Sequence, residues 1–137
     1  MAKIKHIALT THDLEKVASF YKDAFGMAEV GRGGSTHIYL SDGDLNLTIR
    51  ACKKSDDPDV GEQGEDFSGI HHIGFEVESL DVIYDKLAAA GAERRHDVEE
   101  ALGVGHDHRP NVEVKFRGPD GIMLDVSETG WVGTSPG

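Results

Sequence analysis

The chain has 137 residues, of which 38% are hydrophobic and 28% are charged, as expected for one small globular domain. Its net charge of −11 repels phosphate backbones and anionic lipids, so we expect neither a nucleic-acid partner nor a membrane partner. Met1 leads directly into the first predicted strand, and Cys52 is the single cysteine. We therefore expect no signal peptide, no internal disulfide and a cytoplasmic location.

The first part of the chain, residues 3–52, predicts a β-α-β-β-β module. Residues 3–10 alternate as a strand between an apolar and a polar face. Thr11-His12-Asp13 provides capping oxygens for a helix over about 13–25, and Gly26 lies where a helix C-cap is expected. Three further strands are predicted, over residues 27–32, 37–40 and 45–50.

The last strand of this module alternates cleanly. Its polar face carries Asn46, Thr48 and Arg50, and the residues between them are aliphatic. A half-buried strand of this kind places its aliphatic face against the helix and its polar face against a wetter surface.

Residues 53–68 interrupt the pattern. They are acidic, they contain Pro58, and they have almost nothing apolar to bury. We predict an acidic linker or loop here. The acidic run of Asp56, Asp57 and Asp59 is compatible with a hard cation, but a solvated linker is the favoured interpretation.

The same pattern returns over residues 69–128. Superimposing His6 on His72 also aligns Ile7 with Ile73, which indicates an internal repeat. The second module predicts strands over 70–77, 92–98, 112–117 and 122–127, and a helix over 79–90. The sequence therefore predicts one domain, 1–137, made of two modules and a linker.

Four polar side chains occupy matching places in the two modules. His6 and His72 lie on the polar faces of the two first strands, and Asn46 and Asp125 lie on the polar faces of the two last strands. A carboxylate in mid-strand is unfavourable unless it finds a partner. If the two sheets close around one cleft, two imidazoles, a carboxylate and an amide oxygen meet there. These are ligands of a divalent metal, and we predict one ion, whether Ni, Zn, Fe, Co or Mn.

Several segments resemble the vicinal oxygen chelate superfamily, which includes glyoxalases, bleomycin resistance proteins and extradiol dioxygenases. They are KHIAL at 5–9, FYKDAFGM at 20–27, GIHHIGF at 69–75 and DGIMLD at 120–125. The resemblance implies an α+β fold in which two βαβββ modules pair into an open, cup-shaped mixed sheet. It places metal ligands at His6, His72 and Asp125. A homodimer is also implied, because dimerisation is common in this family.

The fourth ligand position departs from the family pattern. Family enzymes carry Glu or Gln there, whereas this chain has Asn46, or Leu47 if the turn is aligned without a gap. Strand parity favours Asn46. In glyoxalases the glutamates serve as ligands and as bases, and a neutral amide cannot abstract a proton. The remaining candidates for a catalytic base are Glu76 and Asp125.

The substrate is predicted to be a small molecule held by side chains that face the cup. The predicted contacts are Tyr39, Thr48, Arg50 and Met123. Arg50 would either neutralise a carboxylate or enolate of the substrate or form a surface ion pair.

Three other features were interpreted from the sequence. The segment 103–110, rich in Gly and His, is either a lid over the cleft or an exposed connection. His71 lies on the helix side by parity and is predicted to be structural. Trp131 is expected to be buried against its own core or against a second subunit.

The function indicated is a metal-dependent glyoxalase-like lyase or epimerase-like isomerase, acting on vicinal oxygens through a metal-stabilised enediolate or enolate. Two alternatives stay open. Two histidines and a carboxylate also form the facial triad of Fe(II) oxygenases, which suggests a ring-cleaving dioxygenase. A metal-free small-molecule binding or resistance protein would use His6 and His72 as hydrogen-bonding residues of its cup.

Overall fold

The computed structural model describes residues 1–102 and 113–136, so the segment predicted at 103–110 lies outside the described residues. The first module comprises β1 (Lys3–Thr11), α1 (Leu14–Phe25), β2 (Ala28–Gly33), β3 (His37–Ser41) and β4 (Asn46–Ala51). The second comprises β5 (Gly69–Glu76), α2 (Leu80–Ala89), β6 (Glu93–Arg94), α3 (His96–Leu102), β7 (Glu113–Arg117) and β8 (Met123–Ser127). Among the helices of these ranges, none has the length and apolar character needed to cross a membrane.

The eight strands form one open mixed sheet in the order β2-β3-β4-β1-β5-β8-β7-β6. The two histidine strands, β1 and β5, are antiparallel neighbours at its centre. β4 pairs in parallel with β1, and β8 pairs in parallel with β5. Each module thus places its first and last strands side by side, which confirms the predicted α+β fold of paired modules.

One helix of each module covers the sheet on the face opposite the cup. Asp13 caps the N-terminus of α1, because its carboxylate accepts a hydrogen bond from the Lys16 N–H, and Gly26 caps the C-terminus in the left-handed conformation, with φ 71°. Two hydrophobic cores result. The first contains Ala18, Ile38, Leu40 and Ile49, and the second contains Val77, Leu80, Val114, Phe116 and Val126.

The strand predicted over residues 92–98 is wrong for most of its length. Only Glu93 and Arg94 pair with β7, and α3 begins at His96. The residues 99–102 at the end of α3, Glu-Glu-Ala-Leu, favour a helix. Glu99 fixes this helix to the sheet, because its carboxylate accepts hydrogen bonds from the Lys115 N–H (2.9 Å) and from the Arg94 guanidinium (3.0 and 3.1 Å).

The segment 53–68 is not a solvated linker throughout. Lys53 and Asp59 are only 4% and 5% exposed, and Lys53 Nζ donates to both Asp59 carboxylate oxygens at 2.6 and 2.7 Å. Both carboxylate oxygens of Asp59 therefore bind the Lys53 ammonium, so Asp59 is not available as a ligand for a metal cation. A buried charge pair, six residues apart in sequence, anchors a segment that has almost no apolar side chains.

Candidate metal centre

Three of the predicted ligands converge in one cavity of about 560 Å³. His72 Nε2 lies 3.0 Å from His6 Nε2 and 3.1 Å from Asp125 Oδ2, and the His6–Asp125 separation between the corresponding atoms is 3.9 Å. All three side chains are buried. Ligand atoms bound at about 2.1 Å to one ion lie about 3.0–3.4 Å from one another. Two of the three separations fall in this range and the His6–Asp125 separation is about 0.5 Å wider, so the donor types fit a divalent metal and a small adjustment of one side chain would complete the spacing.

Hydrogen bonds at the opposite edge of the ring fix the orientation of His6. Asn46 Nδ2 donates to the Val132 carbonyl (2.9 Å), so Asn46 Oδ1 faces His6 and accepts from His6 Nδ1 (2.7 Å). The proton of neutral His6 is thus on Nδ1, and the Nε2 lone pair faces the other ligands. Burial and the neighbouring His72 lower the pKa of His6 to about 4, which keeps it neutral at neutral pH.

Asn46 does not occupy the place of a fourth ligand. Its oxygen contacts Nδ1 of His6, on the far side of the ring from the convergence point, and also accepts a hydrogen bond from Thr48 Oγ1 (2.7 Å). The shorter Asn side chain reaches only the near edge of the imidazole. Asn46 is therefore placed to orient His6 in this structure, and its coordination of a metal stays a prediction.

Asp125 is held as a carboxylate. Its Oδ1 forms an ion pair with Lys115 Nζ (2.8 Å), and Lys115 in turn donates to Glu113 (3.1 Å). Burial alone would raise the pKa of Asp125, but the adjacent Lys115 ammonium outweighs burial and holds the pKa far below its ordinary value. A carboxyl group with so low a pKa suits a metal ligand and makes a poor base.

Trp131 packs inside its own chain, against a ligand. Its ring stacks on His6 with centroids 4.9 Å apart and planes 10° apart, and its indole N–H donates to Glu113. Gly74 makes this possible, because a Cβ there would lie 2.7 Å from His6 Cβ and 2.8 Å from the Trp131 ring. Of the two environments expected for Trp131, the structure shows the intramolecular one.

Glu76 and Met123 lie outside the cavity, although strand parity places both on the cup face. The carboxylate of Glu76 lies under Gly130, where a Cβ would come within 2.5 Å of it. Met123 lies under Gly61, where a Cβ would come within 3.8 Å of its side chain. The C-terminal segment and the 53–68 segment therefore cover these two ends of the cup. Glu76 is not placed to act as a base at the three ligands.

The other predicted substrate contacts line the same cavity as the ligands. They are Tyr39, Thr48 and Arg50, together with His37. Arg50 Nε donates to the Ala51 carbonyl (3.0 Å), and within residues 1–102 and 113–136 the Arg50 guanidinium has no carboxylate partner. Arg50 lies four residues beyond Asn46 on β4, which is roughly 13 Å along a strand. The cavity thus has a candidate metal site on one part of its wall and, farther along β4, a guanidinium that pairs with no carboxylate among the described residues.

His71 was assigned a purely structural role from the sequence, and its position is different. Its Nδ1 lies 2.7 Å from His72 Nδ1, and its Nε2 lies 2.8 Å from the Asp59 carbonyl oxygen. A β-bulge causes this, because Ala8 pairs with His72 whereas Leu9 pairs with Ile70. His71 is the extra residue, so the alternation rule fails there.

The sequence matches the family described as the Glyoxalase/Bleomycin resistance protein/Dioxygenase superfamily over residues 3–126. The chain belongs to this superfamily.

Three curated relatives represent different activities. Human mitochondrial methylmalonyl-CoA epimerase is 22% identical over 135 residues, covering 93% of this chain and 74% of the relative. Metallothiol transferase FosB of Shouchella clausii is 30% identical over 130 residues, covering 90% of this chain and 77% of the relative. A manganese-dependent 2,3-dihydroxybiphenyl 1,2-dioxygenase of Geobacillus genomosp. 3 is 27% identical over 134 residues, covering 92% of this chain but 36% of the relative.

Solved structures share the fold. A methylmalonyl-CoA epimerase in complex with methylmalonyl-CoA and NH4+ superimposes with a TM-score of 0.68 at 18% identity, covering 98% of this chain and 99% of that one. The 2,3-dioxygenase LapB from Pseudomonas sp. KL28 gives a TM-score of 0.67 at 18% identity, covering 96% of this chain and 42% of that one.

Proposed function

We propose that this chain is a divalent-metal-dependent enzyme that acts on a small anionic substrate with two adjacent oxygens. The observation that carries the proposal is the convergence of His6 Nε2, His72 Nε2 and Asp125 Oδ2 in one cavity. A bound metal would supply Lewis acidity, polarising a substrate carbonyl.

Arg50 supports the anionic character of the substrate. A guanidinium without a carboxylate partner in the described ranges lines the cavity of a chain whose net charge is −11. Its bidentate geometry suits a carboxylate or a phosphate-like group. Its place on β4 favours a substrate whose anionic group is separated by several bonds from its metal-binding oxygens.

The leading reaction is proton transfer next to a carbonyl, as in an epimerase-like isomerase or a glyoxalase-like lyase. The named epimerase relatives support this reaction class. The reaction needs a proton acceptor, and Asp59 and Asp125 are each bound by a buried lysine. The cavity wall also offers Glu113, which shares the buried Lys115 with Asp125, and Asp57, whose carboxylate accepts a hydrogen bond from the Lys54 N–H (2.8 Å). Asp57 therefore replaces Glu76 as the leading candidate, and Glu113 is the second.

The second candidate is an Fe(II)-dependent ring-cleaving dioxygenase. The specific observation in its favour is that the ligand set comprises two histidines and one carboxylate, while Asn46 is engaged by His6 Nδ1. The dioxygenase relative supports this alternative.

Metal analysis tests the proposal. We expect about one equivalent of divalent metal in protein purified without chelators, and almost none in His72→Ala and Asp125→Asn. His12→Ala is the matched control, because His12 is exposed and remote from the ligands. Equal metal in wild type and His72→Ala would contradict the proposal and favour a metal-free binding protein.

A second experiment separates the two reactions. Candidate substrates with vicinal oxygens are incubated with the metal-loaded protein in D2O under nitrogen. Deuterium incorporation without oxygen indicates the isomerase or lyase, and Asp57→Asn and Glu113→Gln then identify the proton acceptor. Turnover that requires and consumes oxygen indicates the dioxygenase.

Two further proposals concern the whole molecule. We propose that the protein forms a homodimer and is located in the cytoplasm, as the sequence predicts. Light scattering of the purified protein tests the homodimer, and fractionation of the source cells tests the location.

A further inference from the structure

We propose that His71 is a positioning residue that keeps His72 ready to bind metal, and that the 53–68 segment holds His71 through the Asp59 carbonyl. This inference rests on the proposed metal site, but it concerns residues outside the ligand set.

The donors and acceptors can be assigned in order from the backbone. The Asp59 carbonyl can only accept a hydrogen bond, so His71 Nε2, at 2.8 Å, must carry a proton and donate it. Neutral His71 then has its lone pair on Nδ1. His72 Nδ1, at 2.7 Å, must therefore carry a proton and donate it to His71. This leaves His72 Nε2 as the atom that faces His6 and Asp125.

The hydrogen bonds from His72 to His71 and from His71 to the Asp59 carbonyl, here called the relay, are buried and are held in place by the backbone. His71 is 7% exposed, and burial disfavours a charged imidazole, in keeping with a neutral acceptor. The bulge at Ala8–Leu9 inserts His71 next to His72 on the inner side. The Asp59 backbone is anchored in turn by the buried pair between its own carboxylate and Lys53.

The arrangement mirrors the one at the other histidine. Asn46 Oδ1 accepts from His6 Nδ1, and His71 Nδ1 accepts from His72 Nδ1. Partners of this kind fix the ring and tautomer of metal-binding histidines, and their loss typically lowers metal affinity about 10–100-fold.

The alternative is that His71 only fills space. Two substitutions separate the roles. His71→Phe keeps a planar ring but removes the acceptor. His71→Asn places Oδ1 the same number of bonds from the backbone as His71 Nδ1, so it restores an acceptor with a smaller side chain. His12→Phe is the matched control, because His12 Nε2 also donates to the 53–68 segment, at the Asp66 carbonyl, without touching a ligand.

Zinc affinity is measured by competition with a chromophoric chelator. We expect His71→Phe to bind zinc about 10–100-fold more weakly than wild type, His71→Asn to recover most of the loss, and His12→Phe to match wild type. Wild-type affinity in a folded His71→Phe would overturn the proposal. Equal weakening in His71→Phe and His71→Asn would assign the effect to packing and would also overturn it.

A spectroscopic measurement tests the relay without any variant. In 15N-labelled, metal-free wild type near pH 8, we expect a proton on His72 Nδ1, none on His71 Nδ1, and a scalar coupling between these nitrogens across the hydrogen bond. A protonated His71 Nδ1 would overturn the relay. If wild type fails to bind zinc, the proposed function fails, while this spectrum still decides the role of His71.

Discussion

The Nε2 atoms of His6 and His72 lie 3.0 Å apart, and each ring is held at its Nδ1 atom by a partner from its own module. If both Nε2 atoms carry lone pairs, as the proposed metal site requires, a bound cation would relieve their repulsion from each other and from the Asp125 carboxylate. Four predictions concern residues that surround or support these three side chains.

Replacing Asn46 should weaken metal binding without abolishing it. Asn46→Leu removes the acceptor of His6 Nδ1 but leaves the three ligand atoms in place. We expect the zinc dissociation constant to rise about 10–100-fold while saturating zinc still gives one equivalent per chain. Isothermal titration checks both values. Thr48→Val, which removes only the second hydrogen bond to Asn46 Oδ1, should have a smaller effect. Complete loss of zinc at saturation in Asn46→Leu would mean that Asn46 is a ligand after all.

Replacing Lys115 should destabilise the metal-free protein and tighten metal binding. Lys115 is buried between Asp125 and Glu113, so Lys115→Met leaves two carboxylates without their ammonium partner. We expect a loss of about 3–5 kcal/mol in the free energy of unfolding. The pKa of Asp125 should rise, and zinc should bind more tightly at neutral pH because a positive charge next to the site is gone. Urea unfolding with and without zinc measures both effects. Weaker zinc binding with unchanged stability would contradict this account.

Adding a methyl group at Gly74 should disturb the stacking of Trp131 on His6. A Cβ there would lie 2.7 Å from His6 Cβ and 2.8 Å from the Trp131 ring, so either the rings or the strands must shift. We expect Gly74→Ala to lose about 1–3 kcal/mol of stability and to change the fluorescence of Trp131, the single tryptophan. Gly31→Ala is a milder control, because its Cβ would approach Tyr39 only to 3.3 Å. Unchanged stability and emission in Gly74→Ala would refute the packing described.

Replacing Lys53 should give a pH-dependent loss of stability. Burial would raise the pKa of Asp59, but the Lys53 ammonium outweighs burial and lowers it. Asp59 with this lowered pKa stabilises the fold above its unfolded pKa of about 3.9, and that contribution is lost as the pH falls through the folded value. Lys53→Met leaves the carboxylate buried and unpaired, so we expect it to be about 3–5 kcal/mol less stable near pH 7.

The difference between wild type and Lys53→Met should shrink as the pH falls through the folded pKa of Asp59 in each protein. This happens first in Lys53→Met, where burial without the ammonium raises that pKa, and later in wild type, where the pKa is lowered. Denaturant unfolding between pH 7 and pH 3 measures this difference. In the background of Asp59→Asn, the Lys53→Met substitution should cost much less. A difference that is constant over this pH range would show that the pair is not the cause.

The convergence of His6, His72 and Asp125 could be predicted from the sequence because it depends on two simple rules. Strand alternation assigns His6, His72 and Asp125 to one face, and the internal repeat places the first and last strands of each module together. The fold follows from the same pattern. The exception was α3, where a short run with helix-forming residues replaces most of a predicted strand.

The remaining differences arise because strand alternation gives only the face of each residue. It does not show what covers that face, how far a side chain reaches, or where a bulge breaks the alternation. Glu76 and Met123 point to the cup side, yet segments without regular structure lie over them. Asn46 lies on the correct face, but the length of its side chain decides which edge of His6 it reaches. His71 was misplaced because a bulge breaks the alternation, and a sequence pattern of period two cannot show a bulge.

The segments that follow the two modules cross to the opposite halves. Residues 53–68, after the first module, supply the Asp59 carbonyl to His71 in the second, and the tail after the second module supplies the Val132 carbonyl to Asn46 in the first. Each of the two histidines is thus oriented, through Asn46 or His71, by a backbone carbonyl of the segment that follows the other module. The orientations of the two imidazoles therefore depend on the packing of both modules and of the segments that follow them.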